Sequence, residues 1–151
     1  MYIASVFLYN SEIWAVNKTL SDKIDSFHRR LLRYAINYKW PKKLTNVDLY
    51  GKTKCEPWSK TIKRRRLNFT GHVMRLNEET PVRIALKKAI DTTGAKVGRP
   101  KHTWLRTVIN DLNSGGININ LRNPEQTLQT LLRITQDRKT WRKTIGTLMQ
   151  Q

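Results

Sequence analysis

One cysteine, Cys55, stands among 151 residues, so no internal disulfide can form and the chain suits a reducing compartment. Acids are scarce: 11 Asp and Glu face 29 Lys and Arg, for a net charge of +18. A surplus of that size repels itself unless a polyanion balances it, and the usual ones are nucleic acid, an anionic membrane or an acidic protein. Long apolar runs are missing too. The longest, Met1 to Tyr9, falls far short of the roughly 20 residues a membrane span needs. It also lacks the leading basic residue and the small-residue cleavage site of a secretory signal. The three histidines, His28, His72 and His102, show with Cys55 none of the close pairing of a structural zinc site. There is no paired Asp for two-metal phosphoryl transfer, no glycine-rich phosphate loop and no nucleophile elbow. These absences set an expectation: a nuclear or cytoplasmic protein, off the membrane, without metal or cofactor, binding a polyanion and not an enzyme by itself.

What is present is enough for a core. Hydrophobic residues make up 38% of the chain and include five tryptophans, a composition unlike that of disordered segments. The length suits one domain or two small ones. Thr19 followed by Asp22 resembles a helix-capping box, with Leu20, Ile24, Phe27, Leu31 and Ala35 spaced as a buried stripe up to Pro41. Thr45 and Asp48 repeat that cap for a short helix stopping at Gly51. Pro57 at a first helical position opens a longer one. Its apolar face would carry Trp58, Ile62, Phe69, Val73 and Leu76, and its opposite face Lys60, Arg64, Gly71 and Arg75.

Thr80-Pro81 starts a further helix with Val82, Ala85, Leu86 and Ala89 inward, and 91–101 reads as a loop around Gly94, Gly98 and Pro100. A helix from about Lys101 carries Trp104, Leu105, Val108, Ile109 and Leu112 and stops at Gly115-Gly116. Asn123-Pro124, with Gln126 behind it, opens the last helical region, which breaks near Thr135 to Asp137. Strand signals are confined to Ile3–Tyr9 and Ile117–Leu121. The class is mainly α: a basic bundle of about five to six helices. Its divisions are an apolar segment at 1–18, a basic helical subdomain at 19–90, the loop, and a C-terminal helical subdomain at 102–151. The tryptophans, Trp14, Trp40, Trp58, Trp104 and Trp141, are expected in the core.

The basic charge is concentrated. Lys23 to Arg66 holds 14 Lys and Arg against three acids, and Lys63-Arg64-Arg65-Arg66 is its densest cluster. Such a patch binds DNA or RNA in a salt-dependent way, because each phosphate neutralised releases condensed counterions. Gly71, mid-helix on the basic stripe, either lets a sugar-phosphate backbone approach or permits a helix contact or a kink.

Four stretches together resemble the region after the polymerase in non-LTR (LINE-type) retrotransposon proteins, which carry an endonuclease and a reverse transcriptase. Tyr9-Asn10-Ser11-Glu12-Ile13-Trp14 is similar to that family's Tyr-Gly-Ser-Glu-x-Trp, with Asn10 in place of Gly. Arg29, Arg30 and Arg33, then Trp40 and Thr45-Asn46, are similar to its Arg-x-x-Arg helix and continuation. Ile62 through Arg66, then Leu67, Phe69, Gly71-His72-Val73 and Arg75, resemble its most distinctive block, with Phe69 where Trp is common. Gly98-Arg99-Pro100 with Trp104, then Asp137-Arg138 with Trp141-Arg142, complete the likeness, which spans nearly the whole chain.

The resemblance implies a fragment that helps hold template RNA or target DNA beside the polymerase; the polymerase's catalytic aspartates, the endonuclease and a Cys-rich zinc knuckle are absent from these residues. Expected phosphate contacts are Arg29, Arg30, Arg33, Lys60, Lys63, Arg64, Arg65, Gly71 and Arg75, with Arg99 and Lys101 as a second patch. Two other readings stay open: an interaction module packing on the missing polymerase domain, and a degenerate open reading frame without present function.

Overall fold

Apolar residues at three- and four-residue spacing fold into α-helices throughout the computed structural model, which describes residues 2–38, 43–93 and 102–150. In chain order these are α1 (Tyr2–Phe7), α2 (Lys18–Ala35), α3 (Asn46–Thr53), α4 (Trp58–Met74), α5 (Pro81–Thr93), α6 (Trp104–Ser114), α7 (Pro124–Thr135) and α8 (Arg138–Leu148). A 3-10 turn at Ser11–Ile13 follows α1, and no strand occurs among the described residues. The class is mainly helical, with eight helices among the described residues where five to six were expected. Two causes account for the difference. The strand-like Ile3–Tyr9 segment coils into α1, and the break at Thr135 to Asp137 separates α7 from α8.

The helix starts follow side-chain chemistry. Thr45 Oγ1 accepts from the Asp48 N–H at 3.1 Å and donates to the Asp48 carboxylate at 2.7 Å, so Thr45 caps α3 as expected, with the carboxylate meeting the hydroxyl rather than the backbone N–H of a capping box. Asn123 accepts from Gln126 N–H, and Asp137 from Lys139 and Thr140 N–H. Boundaries differ from expectation at α5, which runs to Thr93 into the expected 91–101 loop, and at three other places. Asn17, not Thr19, caps α2, its Oδ1 accepting from Leu20 N–H at 2.8 Å. The α3 helix runs past Gly51 to Thr53 and ends on Lys54 in the left-handed region. Pro57 is the N-cap of α4 rather than its first helical residue, and having no side-chain acceptor it gives no cap bond. Asp25 of α2 supplies one from outside, accepting from Ser59 N–H at 2.9 Å and Ser59 Oγ at 2.6 Å.

α4 lies at the centre, packed against the 3-10 turn and against α2, α5, α6, α7 and α8. Its first turns give Trp58 and Ile62 to a small core with Leu8, Val16 and Ile24. Its later turns give Leu67, Val73 and Met74 to a larger core built from α5 to α8, with Trp141, Leu131 and Leu112 fully buried in it. A buried Leu or Ile contributes about 1.5–3 kcal/mol, so one helix shared by both cores couples them strongly.

On α5 the buried face is rotated from the expected one. Leu86, Ile90 and Arg83 are buried, while Val82 and Ala85 are exposed beside an open apolar cleft of about 490 Å³ that Ile13, Phe69 and Trp104 also line. Of the tryptophans, Trp58 and Trp141 are buried and Trp14 and Trp104 half-buried; Trp40 lies outside the described residues.

Candidate nucleic-acid interface

Successive helical residues point about 100° apart, so a run of four cations on a helix cannot form one patch. On α4 the four go separate ways. Lys63 lines a polar cleft beside α2 and α6. Arg64 forms a two-pronged ion pair with Glu56, the Nη2–Oε2 arm being 2.8 Å. Arg65 donates to the Leu8 carbonyl at 2.5 Å, tying α4 to the residue after α1. Arg66 is buried, its guanidinium donating to Asp111 Oδ2 of α6 at 2.5 and 2.9 Å and to the Trp14 carbonyl at 3.4 Å. The Arg64–Glu56 bond holds the Glu56 carboxyl below its ordinary range. Burial pushes Asp111 up despite Arg66, so desolvation there outweighs the attraction.

Gly71 is not open to a ligand. It is buried beneath Trp141 of α8, and a Cβ on it would lie on the indole nitrogen. That nitrogen donates to the Leu67 carbonyl at 3.1 Å. The missing side chain therefore lets α8 approach α4, the helix-contact reading, and the phosphate-contact reading of Gly71 is corrected.

The other expected contacts fall into three groups. On α2, Arg30 is exposed; Arg29 is half-buried near the Tyr50 hydroxyl; Arg33 donates to Asn46 Oδ1 at 2.9 Å, holding α3 against α2. Arg33 is thus engaged structurally, as are Arg64 and Arg65. Arg99 and Lys101 lie outside the described residues. Lys60, Lys63 and Arg75 sit where two clusters of cations form.

The first cluster is at the seam of α4 and α8. These helices run antiparallel: Lys60, early in α4, donates to the Met149 carbonyl at 3.4 Å, whereas Arg75, just past its end, lies among Arg138 and Arg142 near the start of α8. Arg75 donates to the Thr135 carbonyl at 2.8 Å. Partial burial and these two guanidiniums pull Arg75 below the ordinary arginine range, with Asp137 opposing. An anion among the three relieves that repulsion.

The second cluster is the polar cleft, about 520 Å³, where the N-terminal turns of α2 and α4 meet α6. Lys18, Lys60 and Lys63 line it, with Ser59, Asn110 and His102. Asp111, the acid in its wall, is already engaged by Arg66.

Sequence reasoning missed Lys18, His102, Arg138 and Arg142 as members of these clusters. Arg138 and Arg142 carried a signal, four residues apart on one helix face. Lys18 and His102 carried none, since tertiary packing alone brings them to α4. Cys55 is exposed, His72 is exposed on α4, and His28 is buried against the Trp58 ring. Among the described residues, no three His, Cys, Asp or Glu side chains gather to hold a metal ion. No helix among the described residues is long and apolar enough to cross a membrane. Comparison with protein-family models, with curated proteins and with solved structures finds no match.

Proposed function

We propose that this chain is a non-catalytic nucleic-acid-binding module, holding RNA or DNA by its phosphates along the basic side of α4 and α8. The observation that carries this reading is how little of the charge is paired. The described residues hold 24 of the 29 Lys and Arg, and the ion pairs among them are Arg64–Glu56 and Arg66–Asp111. Lys60, Lys63, Arg75, Arg138 and Arg142 lie outside both pairs and converge on two clusters. A surface built this way favours a polyanion and suits its spaced charges. The resemblance to the post-polymerase region of non-LTR retrotransposon proteins supports the same reading and supplies a setting, a fragment that keeps template RNA or target DNA beside the reverse transcriptase.

The test is a titration of affinity against salt for single-stranded RNA, duplex DNA and heparin, repeated with Arg75, Arg138 and Arg142 changed to Gln. Arg66 is left intact because its loss would expose the buried Asp111 carboxylate to an unpaired interior. Removing three phosphate contacts should flatten the slope of log affinity against log salt by roughly two to three, on any sequence. Equal affinity for heparin and both nucleic acids, with the slope unchanged in the variant, would overturn the reading.

A second reading is favoured by α1. Tyr2 is 92% exposed, Val6 77% and Tyr9 73%, a row of apolar side chains with nothing over them among the described residues. Such a row suits packing on a polymerase domain. Self-association in sedimentation, abolished by Tyr2→Ser with Val6→Ser, supports it; a monomer at high concentration argues against it.

A further inference from the structure

The cleft between α2, α4 and α6 is a recess, and its size bears on its ligand. At about 520 Å³ it lies within the roughly 300–1,000 Å³ range of sites for single small molecules. Its chemistry is that of an anion site. Lys18, Lys60, Lys63 and Arg66 line it against Asp111 in its wall and Asp25, the neighbouring carboxylate that holds Ser59, so cations exceed acids four to two. Lys60 spends one donor of its three on the Met149 carbonyl, and Lys18 and Lys63 form no ion pair among the described residues. The N-terminal turns of α2 and α4 open into the same space, their first N–H groups already capped by Asn17 and Asp25. Ser59, Asn110 and His102 supply further polar groups around the rim.

We infer that this cleft takes a phosphomonoester, the phosphorylated end of a nucleic-acid strand, while the backbone runs on toward the α4–α8 seam. An internal phosphodiester carries one charge, whereas a terminal phosphate carries nearly two at neutral pH and projects from the strand. Three lysines match the second better. A free nucleotide or inorganic phosphate has the same headgroup, so the source must be separated by experiment. The inference rests on the nucleic-acid reading for the source of its ligand, not for the chemistry of the cleft.

The experiment compares one short single strand bearing a 5′-phosphate, a 3′-phosphate or hydroxyls at both ends, by fluorescence anisotropy, with a nucleoside monophosphate and inorganic phosphate as competitors. The native chain should bind a phosphorylated end tighter by roughly tenfold or more, the worth of one or two hydrogen bonds to a charged group. Lys18→Gln with Lys63→Gln should erase that preference, weakening the phosphorylated strands by roughly tenfold more than whatever the hydroxyl strand loses. Should the double variant melt early, Lys18→Gln alone, at an exposed position, carries the test. Equal affinity for all three ends, each bound tightly, overturns the inference and leaves the nucleic-acid reading standing. Loss of all strand binding, with monophosphate binding kept in the native chain and lost in the variant, upholds the cleft and overturns the nucleic-acid reading. Absence of both overturns both.

Discussion

Trp141 is 1% exposed and its indole N–H is committed to the Leu67 carbonyl, so the ring cannot retreat from Gly71. Two effects compete in Gly71→Ala. The helix gains roughly 1 kcal/mol of propensity, while forcing a methyl into a filled core costs about 1–3 kcal/mol. The second wins because the obstacle is a bonded ring rather than a flexible chain end. The expected outcome is a lower urea midpoint for the alanine variant, read by tryptophan fluorescence, and a midpoint at or above the native one would show that α8 yields. His28 makes a different demand. It is 3% exposed and stacked on Trp58 with ring centroids 4.4 Å apart, near Tyr50 and flanked by Asp25 and Arg29. Burial lowers its pKa, Asp25 opposes, and Arg29 adds to the lowering. The unfolded chain takes up this proton near the ordinary value of about 6.5 while the folded chain resists it, so stability is full above that pH and falls below it. The slope is at most about 1.4 kcal/mol per pH unit. Unfolding measured from pH 7.5 to 5 should show this decline, and His28→Phe, which keeps a ring on Trp58, should remove most of it.

Helix boundaries depend on which oxygen reaches the first N–H groups. Thr19 and Asp22 have the spacing of a capping box, yet Asn17 two residues earlier makes the bond and Thr19 is exposed inside α2. Asn17→Ala should therefore lose about 0.5–2 kcal/mol, and Thr19→Ala should be neutral or slightly stabilising, as alanine is the better helix former. Thermal melts of the two variants decide between the caps; an unaffected Asn17→Ala would return the cap to Thr19. Much of the fold at this scale was legible, because it rests on local rules. Thr45, Asn123, Asp137 and the Gly115-Gly116 stop all act within a few residues of themselves. What stayed hidden depends on distant elements. The cap of α4 comes from Asp25, 34 residues away. The burial of Arg66 depends on Asp111, 45 residues away. No helical wheel separates such an arginine from its exposed neighbours in Lys63–Arg66. Asn10 lies between these cases: its φ of 52° is the left-handed conformation that glycine and asparagine tolerate.

At the scale of the molecule the net charge of +18 acts on stability and on binding with opposite sign. Alone, the folded chain holds its cations closer together than the unfolded chain does, so their mutual repulsion favours unfolding. Salt shortens the reach of that repulsion, from about 10 Å at 0.1 M to about 3 Å at 1 M, and should raise the melting temperature of the free protein. With a saturating oligonucleotide the order reverses. Ligand at a hundred times its Kd stabilises by about 2.7 kcal/mol, on the order of 5–10 °C for a chain of this length. That gain disappears as salt weakens phosphate binding. Two melting curves against salt, one without and one with a single-stranded oligonucleotide, should start apart and converge, the free one rising and the bound one falling. A free curve that stays flat would mean that the cations are already balanced within the fold. Parallel curves would mean that the ligand is held by something other than its charge. The Arg75, Arg138 and Arg142 variant sharpens the test, because easing that crowded seam should raise the free curve at low salt while lowering the bound one, an opposition that a purely structural role for the three arginines does not produce.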